Sequence, residues 1–371
     1  MKELTFVDAD AHVEECEEIW NFMDPEYQPR RPVAVTLEAA PGRGNLNAFW
    51  LIDGKALPQP VGSGASFLGT PTSCTLSSRQ KSFSRGSQEL TDIAARLRDM
   101  DKMGIDIQVI FPTLFNGHLT DDPELEAALA KSYNSWMAEA CGRASDRLKW
   151  NAVMPLRAPE AAAKEARRAK GLGAVGVMVY GTAGEKLLNH PSLDPFYAAL
   201  LETRLPLCVH VGWSFPPLNR ACDNPYAALT VSFALPYLMG FFAIVDGVLD
   251  RFPGLRVGFF EGGSEWVPFW VDRMDQYYGI VTKLGWGPLP KKAPSRYLQD
   301  GNLYITCEAE DRLLPQTLAM WGEDRVMLSS DMPHAEQRDN AKDELGRRGD
   351  LAESTKRKIL VDNALRFYSL G

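Results

Sequence analysis

The sequence predicts an α/β fold, a (β/α)8 TIM barrel with a long insertion after strand 1. Short apolar segments alternate with helix-like segments from residue 90 to the end of the chain. Together with the first strand they make eight strands, each followed by a helix, and such units close most naturally into a barrel. Several strands end in an ionisable side chain. Because barrel active sites are built from the carboxyl ends of the strands, these side chains mark a candidate site.

The composition indicates a soluble globular protein. The 371 residues are 45% hydrophobic and carry a formal net charge of −8, so the chain can bury a large core and has no overall basic surface for nucleic acid. The six cysteines contain no C-x-x-C pair, and Lys2 and Glu3 stand where a signal peptide would be apolar. We therefore expect reduced thiols and a cytoplasmic protein.

One uncharged segment, residues 224–245, is long enough to span a membrane. Pro225, Pro236 and Gly240 interrupt it, and the flanking residues give poor topology signals. We interpret it as a buried helix pair and expect no membrane association.

The first strand follows from the apolar residues Leu4, Phe6 and Val7, which lead into a cluster of carboxylates and one imidazole. Alternate side chains of a strand share a face, so Asp8, Asp10 and His12 are expected to point the same way. Oxygen and imidazole donors at a strand end suit a divalent cation of the zinc, manganese or iron group.

The insertion covers about residues 28–88 and is rich in Pro, Gly, Ser and Thr. Long, weakly structured insertions in compact domains are usually functional or mobile, so we predict a lid with a small hairpin. The whole chain, 1–371, is otherwise expected to be a single barrel domain.

The remaining elements follow from hydrophobic periodicity and from turn residues. The predicted helices are 93–102, 123–143, 159–170, 195–202, a group ending at 249, 266–277, 313–321 and 352–367. The predicted strands are 107–111, 148–154, 175–179, 207–211, 255–260, 303–306 and 326–328.

Four of the predicted strands end in side chains of the metal-ligand type. A single buried histidine is more often a hydrogen-bonded core residue than a ligand. Four such strand ends on one rim favour a metal site over four unrelated structural residues. The candidate ligands are Asp10, His12, Glu15, His210, Glu261, Asp331 and, from the loop after strand two, His118.

These motifs resemble the amidohydrolase-related barrel family, which includes aminocarboxymuconate-semialdehyde decarboxylase, aromatic-acid decarboxylases and hydrolases. The resemblance covers most of the chain except residues 28–88. It is carried by Asp10-Ala11-His12 with Glu15, by residues 207–212, by Glu261-Gly262-Gly263 and by Ser330-Asp331-Met332-Pro333-His334. It implies a metal held by Asp10, His12, His210 and Asp331.

Two departures from the family pattern bear on the reaction. The decarboxylases carry a histidine at the end of strand six, where this chain has Glu261. Strand four, 177–180, offers no lysine that could be carbamylated to bridge two metals. Glu15, Glu261 or Asp331 would have to bridge instead, and the donors outnumber those that one tetrahedral zinc uses.

The surplus of carboxylates favours a dinuclear non-haem iron oxygenase that hydroxylates a small organic substrate, with two ions, Fe or Fe and Mn. The resemblance extends to a dinuclear oxygenase branch that shares the D-x-H-x-x-E start. The alternative is a hydrolase of a C–N or C–C bond or a decarboxylase of a carboxylic acid, with Zn or Mn. In both cases Asp331, Glu261 and His334 are the expected catalytic residues. A barrel that has lost its chemistry and serves as a partner subunit is a third possibility.

Residues near the strand ends are candidates for substrate binding. Trp213, Phe215 and Arg220 follow His210, and Phe115 follows strand two. Arg220 could pair with a substrate carboxylate or form an ordinary surface salt bridge. We expect a small organic acid as substrate and either a homodimer or a hetero-oligomer with a related barrel.

Overall fold

The barrel predicted from the sequence is confirmed. The computed structural model describes residues 4–36, 48–59, 61–66, 69, 71, 83–334 and 338–370. Eight parallel strands form one sheet in the order β1-β5-β6-β7-β10-β11-β12-β13, with helices between successive strands. Long apolar strands covered by helices are typical of parallel sheets, because both faces are buried.

The strands of the described residues are β1 (Val7–Val13), β2 (Val33–Thr36), β3 (Ala48–Ile52), β4 (Lys55–Leu57), β5 (Ile107–Pro112), β6 (Leu148–Val153), β7 (Gly176–Tyr180), β8 (Thr182–Ala183), β9 (Lys186–Leu187), β10 (Leu207–His210), β11 (Val257–Phe260), β12 (Leu303–Cys307) and β13 (Val326–Leu328). The helices are α1 (Arg85–Gln88), α2 (Ile93–Met103), α3 (Pro123–Gly142), α4 (Pro159–Gly171), α5 (Asp194–Thr203), α6 (Pro216–Ala221), α7 (Pro225–Ala227), α8 (Leu235–Ala243), α9 (Leu249–Arg251), α10 (Val267–Leu284), α11 (Pro294–Tyr297), α12 (Leu314–Trp321), α13 (Ala341–Gly346), α14 (Glu353–Arg357) and α15 (Asn363–Tyr368).

The barrel closes just beyond the end of β13. The amide of Asp331 donates to the carbonyl of Asp10 over 3.1 Å, and the amide of His12 donates to the carbonyl of Met332 over 2.6 Å. The first and last strands therefore meet at their carboxyl ends. This meeting places the residues of the first strand beside the loop that follows the last one.

A bulge in β1 changes which side chains share a face. Asp8 pairs with Gln108 of β5, whereas His12 pairs with Phe111, and the register shifts between Asp8 and Ala11. Because residues 108 and 111 lie on opposite faces of β5, Asp8 and His12 also lie on opposite faces of β1. The prediction that Asp8 shares a face with His12 is wrong, because the extra residue breaks the alternation.

The described part of the insertion contains the predicted hairpin. β3 and β4 pair antiparallel across Asp53 and Gly54, whose φ angles of 48° and 76° suit a tight hairpin turn, and β2 adds a third strand. Residues 37–47, 60, 67–68, 70 and 72–82 lie outside the described residues. The lid function therefore stays a prediction.

The uncharged segment lies in the helical run Pro225–Arg251, which is long and apolar enough to cross a membrane. Half of its most apolar stretch is buried within the fold, and the core helix of a soluble protein can have the same length and composition. Two π-helical segments interrupt the run, Ala228–Phe233 and Ile244–Val248, and the backbone leaves helical geometry at Asp246 and Gly247. Pro236 stands in the first turn of α8 and Gly240 lies inside it, so Gly240 does not end a helix as the sequence suggested.

Candidate metal centre

Four side chains converge inside the carboxyl end of the barrel, and together they are called the metal cluster. Asp10 and His12 come from β1, His210 ends β10, and Glu261 follows β11. Glu261 Oε2 lies 3.0 Å from His12 Nε2 and 3.1 Å from His210 Nε2. Asp10 Oδ1 lies 3.5 Å from His12 Nε2, and Asp10 Oδ2 lies 3.7 Å from His210 Nε2.

Both histidines are oriented by a backbone carbonyl. His12 Nδ1 lies 2.8 Å from the carbonyl oxygen of Pro112, and His210 Nδ1 lies 2.9 Å from that of Val211. A carbonyl oxygen only accepts, so each Nδ1 carries a hydrogen and each Nε2 faces the cluster. Metal-binding histidines in proteins are commonly held in this way.

A second group shares two members with the metal cluster. His12, Glu261, Asp331 and His334 also bring one donor atom each within 4.8 Å of one another. Asp331 Oδ1 lies 3.4 Å from His12 Nε2 and 2.8 Å from His334 Nδ1. His334 Nε2 lies 2.8 Å from Thr113 Oγ1, so its second ring nitrogen is bound to a hydroxyl.

The electrostatics of the cluster favour a positive charge between the carboxylates. Burial by itself lowers the pKa of His210, but the carboxylates of Glu261 and Asp10 outweigh it and raise that pKa to about 10. Burial would raise the pKa of Glu261, but His210 and His12 hold it well below its usual value. Burial and the neighbouring His334 lower the pKa of His12. A site that attracts a proton so strongly suits a cation, which competes with that proton.

The donor atoms fit a divalent metal ion. Both oxygens of Asp10, Nε2 of both histidines and Oε2 of Glu261 are buried and make no hydrogen bond among the described residues. Buried polar atoms without partners are rare in native proteins. Donors that surround one ion at about 2.1 Å lie roughly 3.0–3.5 Å apart. The donor atoms of the metal cluster lie 3.0, 3.1, 3.5 and 3.7 Å apart, which is close to that spacing. Carboxylate and imidazole donors of this kind suit Zn, Mn or Fe.

Two predicted ligands lie outside both groups. The oxygens of Glu15 accept hydrogen bonds from the amides of Thr113 (3.1 Å) and Leu114 (2.7 Å), so this carboxylate fixes the loop after β5. His118 is half-buried with Nε2 2.9 Å from the carbonyl oxygen of Ser214, and the loss of solvent around its ring lowers its pKa to about 4. The structure does not bring either side chain to the metal cluster, because each follows a strand end and turns toward a neighbouring loop.

The predicted substrate-binding residues occupy different environments. Trp213 is buried and packs on Phe233 with ring centroids 4.4 Å apart, and Phe215 is half-buried just before α6. Phe115 belongs to the hydrophobic core, with its ring 5.1 Å from that of Tyr133. Arg220 is 64% exposed and lies 3.6 Å from Glu185, which is the surface salt bridge considered from the sequence.

Sequence reasoning missed the hydrogen-bonded polar network that joins β1, α2, β5 and the loop after β13. Asp8, Gln108, Arg96 and Ser330 are buried and joined by hydrogen bonds. One signal was present, because Arg96 lies three residues after Ile93 and four before Met100, on the inner face of α2. An arginine on a buried helix face requires a partner.

Comparison with known proteins identifies the family and supports the fold. A sequence profile described as "Amidohydrolase" matches residues 7–370. The gamma-resorcylate decarboxylase of Rhodococcus jostii is 27% identical over 300 residues, covering 74% of this chain and 87% of that protein. An amidohydrolase from Mycobacterium avium subsp. paratuberculosis superposes with a TM-score of 0.76 at 20% identity, over 99% of this chain and 98% of the other. The 5-carboxyvanillate decarboxylase of Novosphingobium aromaticivorans, solved with manganese and 4-hydroxy-3-methoxy-5-nitrobenzoic acid, gives a TM-score of 0.71 at 20% identity, over 100% and 97% of the two chains.

Proposed function

The chain belongs to the amidohydrolase family, and we propose that it is a metal-dependent decarboxylase of a small aromatic carboxylic acid. The metal cluster at the carboxyl end of the barrel is the observation that carries this proposal. The similarity to gamma-resorcylate decarboxylase favours decarboxylation over the other reactions that such a site supports. The oxygenase preferred from the sequence has no support among the relatives described above, which match the alternative instead.

The residues that would hold the ion are Asp10, His12, His210 and Glu261. Asp331 lies next to them, with its Oδ1 3.4 Å from His12 Nε2. A divalent ion there, manganese by analogy with the Novosphingobium enzyme, supplies positive charge that holds an anionic substrate and stabilises the charge left when CO2 departs. Glu261 has the most exposed side chain of the cluster, at 13%, against 0% for both histidines. We infer that the substrate approaches from the side of Glu261.

The reaction breaks the bond between the ring and its carboxylate, leaves the electron pair on the ring carbon and replaces CO2 with a proton. Asp331 and His334 are the pair to which we assign that proton. An ionised Asp331 only accepts, so His334 Nδ1 donates to it over 2.8 Å while the Thr113 hydroxyl donates to Nε2. When CO2 departs, the Nδ1 proton of His334 moves to Asp331 and from Asp331 to the ring carbon, while His334 Nε2 takes a proton from the Thr113 hydroxyl, which solvent replaces.

Turnover in D2O tests the proton assignment. The manganese-loaded chain is incubated with hydroxybenzoic acids that carry a carboxylate beside a hydroxyl, and the product should carry one deuterium at the carbon that lost CO2. His334→Ala should lower kcat by about 10²- to 10⁴-fold, the usual range for a lost proton-transfer group. His190→Ala is the matched control, because His190 lies on a loop with its ring bound to Ser192. Equal activity of the two variants would contradict the role of His334.

A two-ion centre is the second candidate, because the two groups of donors share His12 and Glu261. Such a centre would favour the dinuclear oxygenase, whereas one zinc or manganese ion would suit a hydrolase or a decarboxylase equally well. Metal analysis of the purified chain separates the one-ion and two-ion cases. The reaction products then separate hydrolysis from decarboxylation. The predicted homodimer is tested by light scattering coupled to size exclusion.

A further inference from the structure

We infer that Asp8 is a positioning residue that sets the affinity of the metal cluster for a divalent cation. Through Ser330, Gln108 and Arg96 it holds the two backbone segments that carry His12 and Asp331. The inference rests on the metal site of the proposed function and does not depend on the reaction catalysed there.

Asp8 clamps the loop that follows β13. Its Oδ1 accepts from the amide of Ser330 over 2.9 Å, and its Oδ2 accepts from the hydroxyl of Ser330 over 2.6 Å. The next residue, Asp331, has a φ of 58°, in the left-handed region that residues other than glycine avoid. Such a conformation persists where the surroundings fix it, and the two hydrogen bonds between Ser330 and Asp8 are one such constraint. The direction of the Asp331 carboxylate therefore depends on Asp8.

The same carboxylate is connected to the backbone of His12. Gln108 Nε2 donates to Asp8 Oδ2 over 2.9 Å, and Gln108 Oε1 accepts from Arg96 Nε over 2.8 Å. Arg96 Nη2 then donates to the carbonyl oxygen of His12 over 2.9 Å. The orientation of the Gln108 amide follows from its neighbours, because Asp8 only accepts and Arg96 only donates.

All four residues of this network are buried, with no more than 1% exposure. Asp8 lies on the face of β1 opposite to His12, so its own carboxylate is not a ligand in either group of donors. A buried anion and a buried cation joined through one amide form a polar network that is rigid when fully satisfied. Its two ends reach the backbone of a cluster histidine and the residue before Asp331. The network therefore acts on the geometry of the site through the backbone.

The test compares Mn2+ binding by the full chain and by Asp8→Asn, measured without substrate from the electron paramagnetic resonance signal of free Mn2+. In Asp8→Asn, the new amide nitrogen faces the Gln108 amide nitrogen, and two donors oppose each other. We expect the Kd for Mn2+ to rise about 10- to 100-fold, the range found when partners of metal ligands are removed. The visible spectrum of the Co2+-loaded chain should also change, because the ligands move.

Asp106→Asn is the matched control. Asp106 is a buried carboxylate just before β5, and it accepts from the amide of Thr5 over 2.6 Å and from its hydroxyl over 2.9 Å. It lies at the opposite end of the same strand pair from the metal cluster. Its substitution should lower the melting temperature and leave the Kd for Mn2+ and the Co2+ spectrum unchanged.

A double variant, Asp8→Asn with Gln108→Glu, provides a rescue. The carboxylate introduced at position 108 accepts both from Arg96 and from the amide introduced at position 8. The donor–donor conflict is thereby removed, and most of the lost Mn2+ affinity should return. Should Asp8→Asn not fold, Ser330→Ala removes the hydroxyl bond to Asp8 and the longer bond of 3.2 Å that this hydroxyl accepts from the amide of Met332, and it should raise the Kd in the same direction.

Unchanged Mn2+ affinity in Asp8→Asn, or an equal loss in Asp106→Asn, would overturn the inference. A wild-type chain that binds Mn2+ but releases no CO2 would refute the proposed reaction and leave this inference to be decided by the variants. A wild-type chain that binds no Mn2+ would overturn both.

Discussion

Glu261→Gln is the substitution that best separates a metal ligand from a proton carrier. Glu261 Oε2 lies 3.0 and 3.1 Å from the two histidine Nε2 atoms, at the centre of the donors. Glutamine has nearly the same size, so the change removes the charge and keeps the packing. A neutral amide binds a hard cation much more weakly than a carboxylate does.

The expected loss follows from the charge that is removed. A contact to a charged group contributes about 1.5–3 kcal/mol. Because about 1.4 kcal/mol corresponds to a tenfold change in Kd, the Kd for Mn2+ should rise about 10- to 150-fold. Isothermal titration of the metal-free chain measures this change directly.

Glu310→Gln is the matched control for Glu261→Gln. Glu310 undergoes the same chemical change, but it is 58% exposed and pairs with Arg338 over 2.9 Å. Its Kd for Mn2+ should equal that of the wild type. If Glu261→Gln also keeps the wild-type Kd while kcat falls by about 10²- to 10⁴-fold, Glu261 moves a proton and is not a ligand, and the reasoning above is refuted.

Three further predictions concern stability. Glu15→Ala leaves the amides of Thr113 and Leu114 without their acceptor, so the free energy of unfolding should fall by about 1–3 kcal/mol with unchanged metal content; metal loss would instead make Glu15 a ligand. Mn2+ at about 100 times its Kd should stabilise the chain by about 2.7 kcal/mol, so a chelator should lower the melting temperature, and an identical melting curve with and without chelator would argue against the site. Burial raises the pKa of Glu308 to about 7 although the positive charge of Arg338 opposes this shift. Between the usual pKa of 4.5 and a pH of about 7, the folded state keeps a proton that the unfolded state has lost. The contribution of Glu308 to stability therefore declines as pH rises through that window. The free energy of unfolding of Glu308→Gln, measured by urea titration at several pH values, should therefore increase relative to that of the wild type as pH rises. A difference that does not change with pH would show that Glu308 titrates normally.

The barrel could be predicted because its signals are local and repeated. Each strand is a short apolar run and each helix has its own period, so one uncertain segment does not change the alternation. The positions of His210, Glu261 and Asp331 followed from the rule that barrel strands present their carboxyl ends to one rim. Those three residues are brought together with Asp10, His12 and His334 as the sequence indicated.

The structure and the comparisons differ from the sequence expectations at three points. The bulge between Asp8 and Ala11 reverses the side-chain alternation of β1, and no strand propensity predicts it. Glu15 lies beyond the end of β1, where alternation no longer determines direction, and two backbone amides bind it instead. The preference for an oxygenase came from counting donors. A count of donors does not show how many of them bind one ion.

The decarboxylase assignment is tested most directly by measuring CO2 release under argon from the manganese-loaded chain with a panel of hydroxybenzoic acids. We predict one CO2 for each molecule of acid consumed, no requirement for O2, and loss of activity after chelation. The absence of CO2 with every acid of the panel, or turnover that depends on O2, would contradict the account.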